Sequence, residues 1–528
     1  MSTARIHHRV GIILLLAWLI PSIACNFPTR SRQIREISEA SLRQTLTALP
    51  NASPVEETPA PDATETPFSP AATESPATTP ENSAPGSQPT STPGSSALFF
   101  IYSAQPGDTL PAVADRFGVA PEQITSSDYL PDAGLLPAGQ ILTIPNVVGE
   151  TLYPGALLPD SEVIYSPSTV DFHTYDYIYG ASGFLISFGE LVDGEWTSGA
   201  DILQRVAVET SINPRLLLAL LEYRSRWVLG QPADPSSVSY PLGFNVPGER
   251  GLYKEMYIAA KLITMGYYGW RSGTLTDITF PDGIKIRLGP ELNAGSVALQ
   301  YLFSRLYPQP GWYDALYGNN SFLTLHTQMF GDPWGRAAGV EPLFPLGLAQ
   351  PAIELPFLPG ESWSYSGGPH LAWTSGSPRG AIDFSPATGG PTCSVSQAWV
   401  TASAPGLVVR SNHNVVVIDL DGDGFEQTGW TLVYLHVADH ERTPAGVWVN
   451  TDDPLGHPSC ERGNSTGTHV HMARKYNGEW LDADGPLPFV LSGWLVQKGA
   501  RNYEGYLIQG NERITANPGG SRISIIVR

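Results

Sequence analysis

The hydrophobic and polar positions of this chain fall into five successive regimes. The first is a continuous apolar run from Val10 to Ile20, preceded by Arg5, His7, His8 and Arg9 and followed by Ser22-Ile23-Ala24-Cys25. It is too short to span a membrane as a conventional transmembrane helix, so residues 1–24 read as an export signal. A short stretch with helical character, 33–48, then gives way to residues 50–97, dominated by Pro, Thr, Ser, Ala and Glu. Such a segment buries too little apolar surface to offset its ordering entropy, and residues 25–98 are expected to form a disordered tether. Its reach would be on the order of 40 Å as a coil and up to about 150 Å as polyproline II.

Residues 99–146 predict a small unit. Apolar Phe99-Phe100-Ile101-Tyr102 leads to the turn Pro106-Gly107-Asp108, a helical stretch through Phe117, a second around Glu122, and the run Ile141 to Pro145. Asp108 or Thr109 can cap the first helix, with Pro111 in its first turn. In residues 150–345, Asn213-Pro214 starts a helix on which Leu216, Leu217, Leu218, Leu220 and Leu221 cover more than half the circumference, which predicts burial in a core of its own. Asn293-Ala294-Gly295 opens another helical run toward Leu302. In the last regime, 350–528, Val415 to Tyr434 fits a hairpin around Asp419-Leu420-Asp421-Gly422-Asp423-Gly424.

Composition narrows the function. A formal net charge of −20, with 15% charged residues, argues against nucleic acid, which would require a basic face. With 42% apolar residues and 13 tryptophans, there is ample material for folded domains beyond the tether.

The candidate chemistry concentrates late in the chain. In Thr468-His469-Val470-His471 the two histidines, spaced i and i+2 on a strand, project from one face and can aim at one metal ion. Upstream lie His436, after Tyr434-Leu435, and His370, after Gly367-Gly368-Pro369, with Asp383 following. Of eleven histidines, those at 370, 413, 436, 440, 457, 469 and 471 fall between 370 and 471. His413, His440 and His457 read as hydrogen-bonded structural residues. The others, with Asp383, satisfy a catalytic zinc site: three protein ligands, an open position for water, and neighbouring bases.

The run Ser465 to His471, preceded by Leu432-Val433-Tyr434-Leu435-His436, resembles the M23 peptidoglycan endopeptidases, which cut wall peptides with a zinc-activated water. The usual first motif of that family is His-x3-Asp, and here Arg379 occupies the histidine's place before Asp383. His370, thirteen residues before Asp383, matches the longer spacing of the β-lytic, staphylolytic branch, and Cys460 resembles a half-cystine of that branch. The resemblance implies a mostly antiparallel β domain with Zn²⁺ on His370, Asp383 and His471. His436 and His469 would stand beside the metal as proton acceptor and hydrogen-bond donors, with the identity of the base left open.

Cys25 has two readings. Ser22-Ile23-Ala24-Cys25 resembles a bacterial lipobox, in which Cys25 carries a lipid anchor; the same triplet suits ordinary signal peptidase. If Cys25 is lipidated, Cys393 and Cys460 remain for one disulfide, or stand as two thiols.

Residues 99–146 resemble a LysM domain, a βααβ module that binds N-acetylglucosamine-containing glycans. The resemblance implies that Gly107, Asp108, Thr109 and Leu110 contribute to its sugar groove, against a purely capping role for Asp108. Residues 150–345 resemble a lysozyme-like lytic transglycosylase through Leu220 to Trp227, but Arg224 stands where the catalytic glutamate precedes Ser225, and Glu222 lies about 200° around the helix. An inactive helical domain follows from that. Asp419, Asp421 and Asp423 open like a calcium loop, yet Trp430 stands where an EF-hand needs glutamate, and a polar turn is the simpler reading.

Together these readings give a multidomain, exported peptidoglycan endopeptidase, tethered at the membrane by lipid or secreted to the wall. Its glycan contacts would lie in the LysM module and its peptide contacts in the C-terminal domain. The alternative is a non-enzymatic wall-binding protein whose altered first motif has lost zinc and whose cleft recruits a wall hydrolase.

Overall fold

The computed structural model describes residues 98–528 apart from 153–154, 233, 387–392 and 464, so the expected export signal, Cys25 and the expected tether lie outside the described residues. No described helix is long and apolar enough to cross a membrane. The N-terminal module pairs β1 (Phe99–Ser103) antiparallel with β2 (Ile141–Pro145), packing Tyr102, Leu142 and Ile144 onto Phe117 and Val113 of α1 (Leu110–Phe117). Thr109 caps α1 by accepting the Ala112 amide at 3.3 Å, and Gly118 ends it in the left-handed conformation at φ 67°. The second expected helix is only a 3₁₀ turn, Pro121–Gln123, because Ile124 turns extended into the core and Thr125 bridges to Thr143.

The middle region is built on α2 (Gly199–Thr210), α3 (Pro214–Ser225), α4 (Leu252–Arg271) and α5 (Ala294–Leu306), with two short hairpins beside them. As its sequence predicts, α3 starts at Asn213, whose side chain accepts the Arg215 amide at 2.9 Å, and its leucines are fully buried.

The C-terminal region is built on a nine-stranded sheet, with a separate four-stranded sheet over residues 490–515 and a two-stranded one. The strands of the large sheet are β3 (Ser362–His370), β4 (Ala381–Pro386), β5 (Gly406–Asn412), β6 (Val415–Asp419), β7 (Trp430–Leu435), β8 (Trp448–Val449), β9 (Val470–Tyr476), β10 (Glu479–Trp480) and β11 (Ile525–Val527). The order is β8-β5-β6-β7-β9-β4-β3-β11, with β10 paired to β9, and neighbours run antiparallel. The hairpin expected between Val415 and Tyr434 is β6–β7.

Both faces of this sheet are covered. Val416, Ile418, Leu432, Tyr434 and Met472 pack into the C-terminal region's own core, whereas Val415, Val417, Val433 and Ala473 join one continuous apolar cluster with the helices of the middle region. That explains the unbroken run Val415-Val416-Val417-Ile418: a strand wet on one face would alternate, and this one is buried on both. The middle region is thus a second layer on the sheet. His469 and His471, in register with Ala473 at period two, share the face turned toward it.

Candidate metal centre

Strand pairing brings the site together. His471 on β9 lies opposite Asp383 on β4, and Asp383 opposite Gly367 on β3, whose strand ends at His370. His370 Nε2 lies 3.0 Å from His471 Nδ1, and each nitrogen lies 3.4 Å from Asp383 Oδ1. A larger side chain than glycine at 367 has no room, since its Cβ would stand 2.3 Å from Asp383 Oδ2.

The outer nitrogens are already engaged. His370 Nδ1 donates to the Gly368 carbonyl at 2.9 Å, and His471 Nε2 donates to the Ala372 carbonyl at 3.1 Å. These bonds assign the tautomers and turn both remaining lone pairs inward, the orientation that backbone partners give to metal-binding imidazoles. Asp383 Oδ1, between them, is buried with no hydrogen-bond partner. Two imidazole lone pairs and an orphaned carboxylate oxygen repel one another unless a cation sits among them, so this donor set fits a metal such as Zn²⁺. Burial lowers the His370 pKa to about 4, partly offset by Asp383, so the imidazole is neutral at pH 7. Burial raises Asp383, but His370, His471 and His469 outweigh it and hold the carboxyl well below its usual range.

His436 and His469 flank this triangle, their ring centroids 4.5 Å apart. His436 Nδ1 donates to the Glu461 carbonyl at 3.0 Å and His469 Nδ1 to the Gly467 carbonyl at 2.7 Å, leaving both Nε2 atoms free. His469 Nε2 is 3.8 Å from Asp383 Oδ1. His436 follows the last residue of β7 and adopts φ 67°, a left-handed conformation uncommon outside glycine and held here by Ser459, whose amide and hydroxyl both donate to the His436 carbonyl. Burial, reinforced by His469, lowers the His436 pKa to about 3.

Several supporting residues escape a reading of motifs. Arg379 is not near the ligands as a donor. Its guanidinium instead donates to the carbonyls of Pro369 and Gly499, at 3.0 and 2.9 Å, and of Arg501, clamping the loop that carries Tyr503. The Tyr503 ring stacks on His370 with centroids 4.1 Å apart. Cys393 and Cys460 form a disulfide beside Glu461, the residue whose carbonyl holds His436. His457 and His413 lie apart from this triangle: the His457 ring bonds the Ala398 carbonyl and Glu441, and the backbone carbonyl of His413 accepts from Arg462.

The remaining sequence candidates lie elsewhere. Asp108 is 2% exposed and bonded to Arg116 at 2.5 Å and to the Tyr102 hydroxyl at 2.7 Å, so its carboxylate points into its own module rather than toward a sugar. Gly107 and Thr109 border a cavity of about 640 Å³ shared with α4, and a side chain at 107 would strike Arg271. Leu110 packs beneath, against the module's core. Glu222 accepts the amides of Val228 and Leu229, at 2.9 and 2.8 Å, and Arg224 donates to the Leu242 carbonyl; both are structural. Asp419, Asp421 and Asp423 are brought together, yet Asp419 accepts the amides of Asp421, Gly422 and Gly424, the bonding of a polar turn.

Fold and site describe a β-sheet carrying a candidate metal centre, a helical layer on one face of that sheet, and a small N-terminal module. Comparison with known proteins gives the class: residues 102–145 match the LysM domain and residues 156–342 the LasA N-terminal domain. The chain is 29% identical over 318 residues to Protease LasA of Pseudomonas aeruginosa, covering 56% of this chain and 69% of that one. It is 32% identical over 179 residues to a β-lytic metalloendopeptidase of Achromobacter lyticus, covering 32% and 42%. Among solved structures it resembles the M23 metalloprotease pseudoalterin, with 25% identity, 32% of this chain and 96% of that chain covered, and a TM-score of 0.27. The chain is therefore a LysM-bearing homologue of the LasA and β-lytic metalloendopeptidases. The middle region is the counterpart of the LasA N-terminal domain, and these matches give no support to the expected likeness to lytic transglycosylases.

Proposed function

We propose that this protein is a zinc-dependent peptidoglycan endopeptidase. The observation that carries the reading is the buried, unpartnered Asp383 Oδ1 facing the two inward lone pairs of His370 and His471, in a chain homologous to metalloendopeptidases. His370, Asp383 and His471 would hold Zn²⁺, which when bound makes water a nucleophile near neutral pH and polarises a carbonyl. His436 and His469 present their Nε2 atoms to the same space. With Nδ1 fixed on backbone carbonyls, each can take a proton at Nε2 and return it to the leaving amine, and in the protonated form can hydrogen-bond a developing oxyanion. The cleft around them, about 940 Å³, is large enough for a peptide segment.

The LysM module would hold glycan strands, and the region from 350 to 528 would act on the attached peptide. Export, with a lipid on Cys25 and a tether through residue 98, would place the enzyme at the membrane face of the wall or release it into the wall. A degenerate cleft is the weaker reading, because His370 supplies what Arg379 cannot. Digestion of purified peptidoglycan by the full chain, with new amino termini identified by mass spectrometry, tests the function. The expected result is zinc-dependent release of peptides; no new termini, with zinc bound, would refute it.

A further inference from the structure

We propose that the LysM module is docked with its glycan loop against the rest of the chain, so that staying docked and holding a glycan strand exclude one another. This rests on the reading that the module binds glycan through the loop from Gly107 to Leu110. Gly107 takes φ 85° in the turn that opens this loop and is buried, although turns of that kind lie at the surface. Arg271, the last residue of α4, is what covers it. Its guanidinium donates to the Pro106 carbonyl and fills the space that a Cβ at 107 would take. The same guanidinium bonds Asp160 of the middle region at 2.9 Å and Glu479 of β10 at 3.1 Å. One cation therefore joins the loop, the middle region and the C-terminal sheet.

The docking has a wider footprint than that cation. Gln105 Nε2 donates to the Glu291 carbonyl at 2.7 Å. Arg287 Nη2 donates to the carbonyls of Asp115 and Arg116, at 3.2 and 2.8 Å, at the C-terminal end of α1, where the helix dipole favours a cation. The Arg116 guanidinium lies over the Trp270 ring, 5.1 Å from its centroid. Gly273, just past α4, approaches α1 so closely that a Cβ there would stand 2.9 Å from Ala112 Cα. Leu135, from the loop before β2, packs into the apolar cluster of Phe344, Leu481 and Leu487.

Gly107, Thr109 and Leu135 consequently face a cavity of about 640 Å³ whose other walls include Met265, Tyr268 and Leu487. A space of that size suits a small ligand. A glycan strand is a polymer and needs a groove it can run across, and here α4 stands opposite the loop. Two states follow: a docked one whose loop is held by Arg271, and an undocked one whose loop is open to a strand. The apparent dissociation constant for glycan is then the intrinsic one divided by the undocked fraction, and by linkage a bound strand draws the module off α4.

The test is calorimetric binding of an N-acetylglucosamine hexamer to the full chain, unsubstituted and carrying Arg287→Glu. That substitution sets a carboxylate against the terminal carbonyls of α1 and lies outside the glycan loop. Arg287→Glu should bind the hexamer about tenfold tighter than the unsubstituted chain. In the unsubstituted chain, saturating hexamer should make amides of residues 268–275 exchange hydrogen faster, because the module leaves them. Equal affinity in the two forms, or slower exchange at 268–275 with hexamer bound, would overturn the docking proposal while leaving the glycan reading intact. Binding by neither form would end the glycan reading and this proposal with it.

Discussion

His370 and His471 face each other with Nε2 and Nδ1 3.0 Å apart, each having given its other N–H to a backbone carbonyl. Neither inward nitrogen is free to donate in the neutral tautomers, so the pair is an acceptor couple waiting for a cation. His370→Ala removes one of the three proposed ligands and should lower bound zinc well below one per chain. Arg379→Ala removes no ligand. It frees the carbonyls of Pro369 and Gly499, and should cost about 1–3 kcal/mol of stability while zinc stays near one per chain. Metal analysis beside denaturant unfolding separates the two.

Gly367→Ala is a sharper probe of Asp383. The new Cβ would stand 2.3 Å from Asp383 Oδ2 and 3.0 Å from Asp383 Cβ, on a β4 residue whose backbone register leaves the carboxylate little freedom. Displacing it should weaken zinc affinity by roughly 10–100-fold, the range for disturbing the support of a ligand. Competition with a zinc chelator measures this.

The fold carries a pH sensitivity away from the metal. His326 is fully buried, and neither ring nitrogen has a hydrogen-bond partner. Burial, with Arg336 and Arg215 adding to it, lowers its pKa to about 3. The unfolded chain, with an ordinary histidine pKa near 6.5, takes the proton first, so this stability is present above pH ~6.5 and is lost as pH falls toward 3. Between pH 7 and pH 5 the loss from this group is about 2 kcal/mol. Because His326 sits beside the Phe322 and Phe330 rings, His326→Phe should reduce the acid destabilisation by that amount in urea unfolding at the two pH values.

Part of the candidate site and of the fold is legible in the sequence: period two in a strand puts His469 and His471 on one face whatever the fold, and Asn213-Pro214 and the Asp108-Thr109 pair mark helix starts by chemistry that is local. The supporting residues depend on chain segments that return from far away. Arg379 makes sense only once residues 499–504 fold back onto it, and Gly367 only once β3 lies beside Asp383. The second LysM helix fails for a tertiary reason, as Thr125 is drawn into a bridge with Thr143. The middle region is the larger surprise. Its leucine-rich helix announces a core, but nothing in the sequence says that this core extends onto Val415, Val417 and Val433 of the sheet.

Zinc content measured alongside turnover in three variants tests the division of labour most directly. His436→Ala and His469→Ala should each keep roughly one zinc per chain and a normal fold while hydrolysis of a wall peptide falls by about 10²–10⁴. His471→Ala should lose zinc and activity together, because its Nδ1 is one corner of the ligand triangle. Loss of zinc from His469→Ala, or wild-type turnover in either His436→Ala or His469→Ala, would contradict the assignment of ligands and proton carriers.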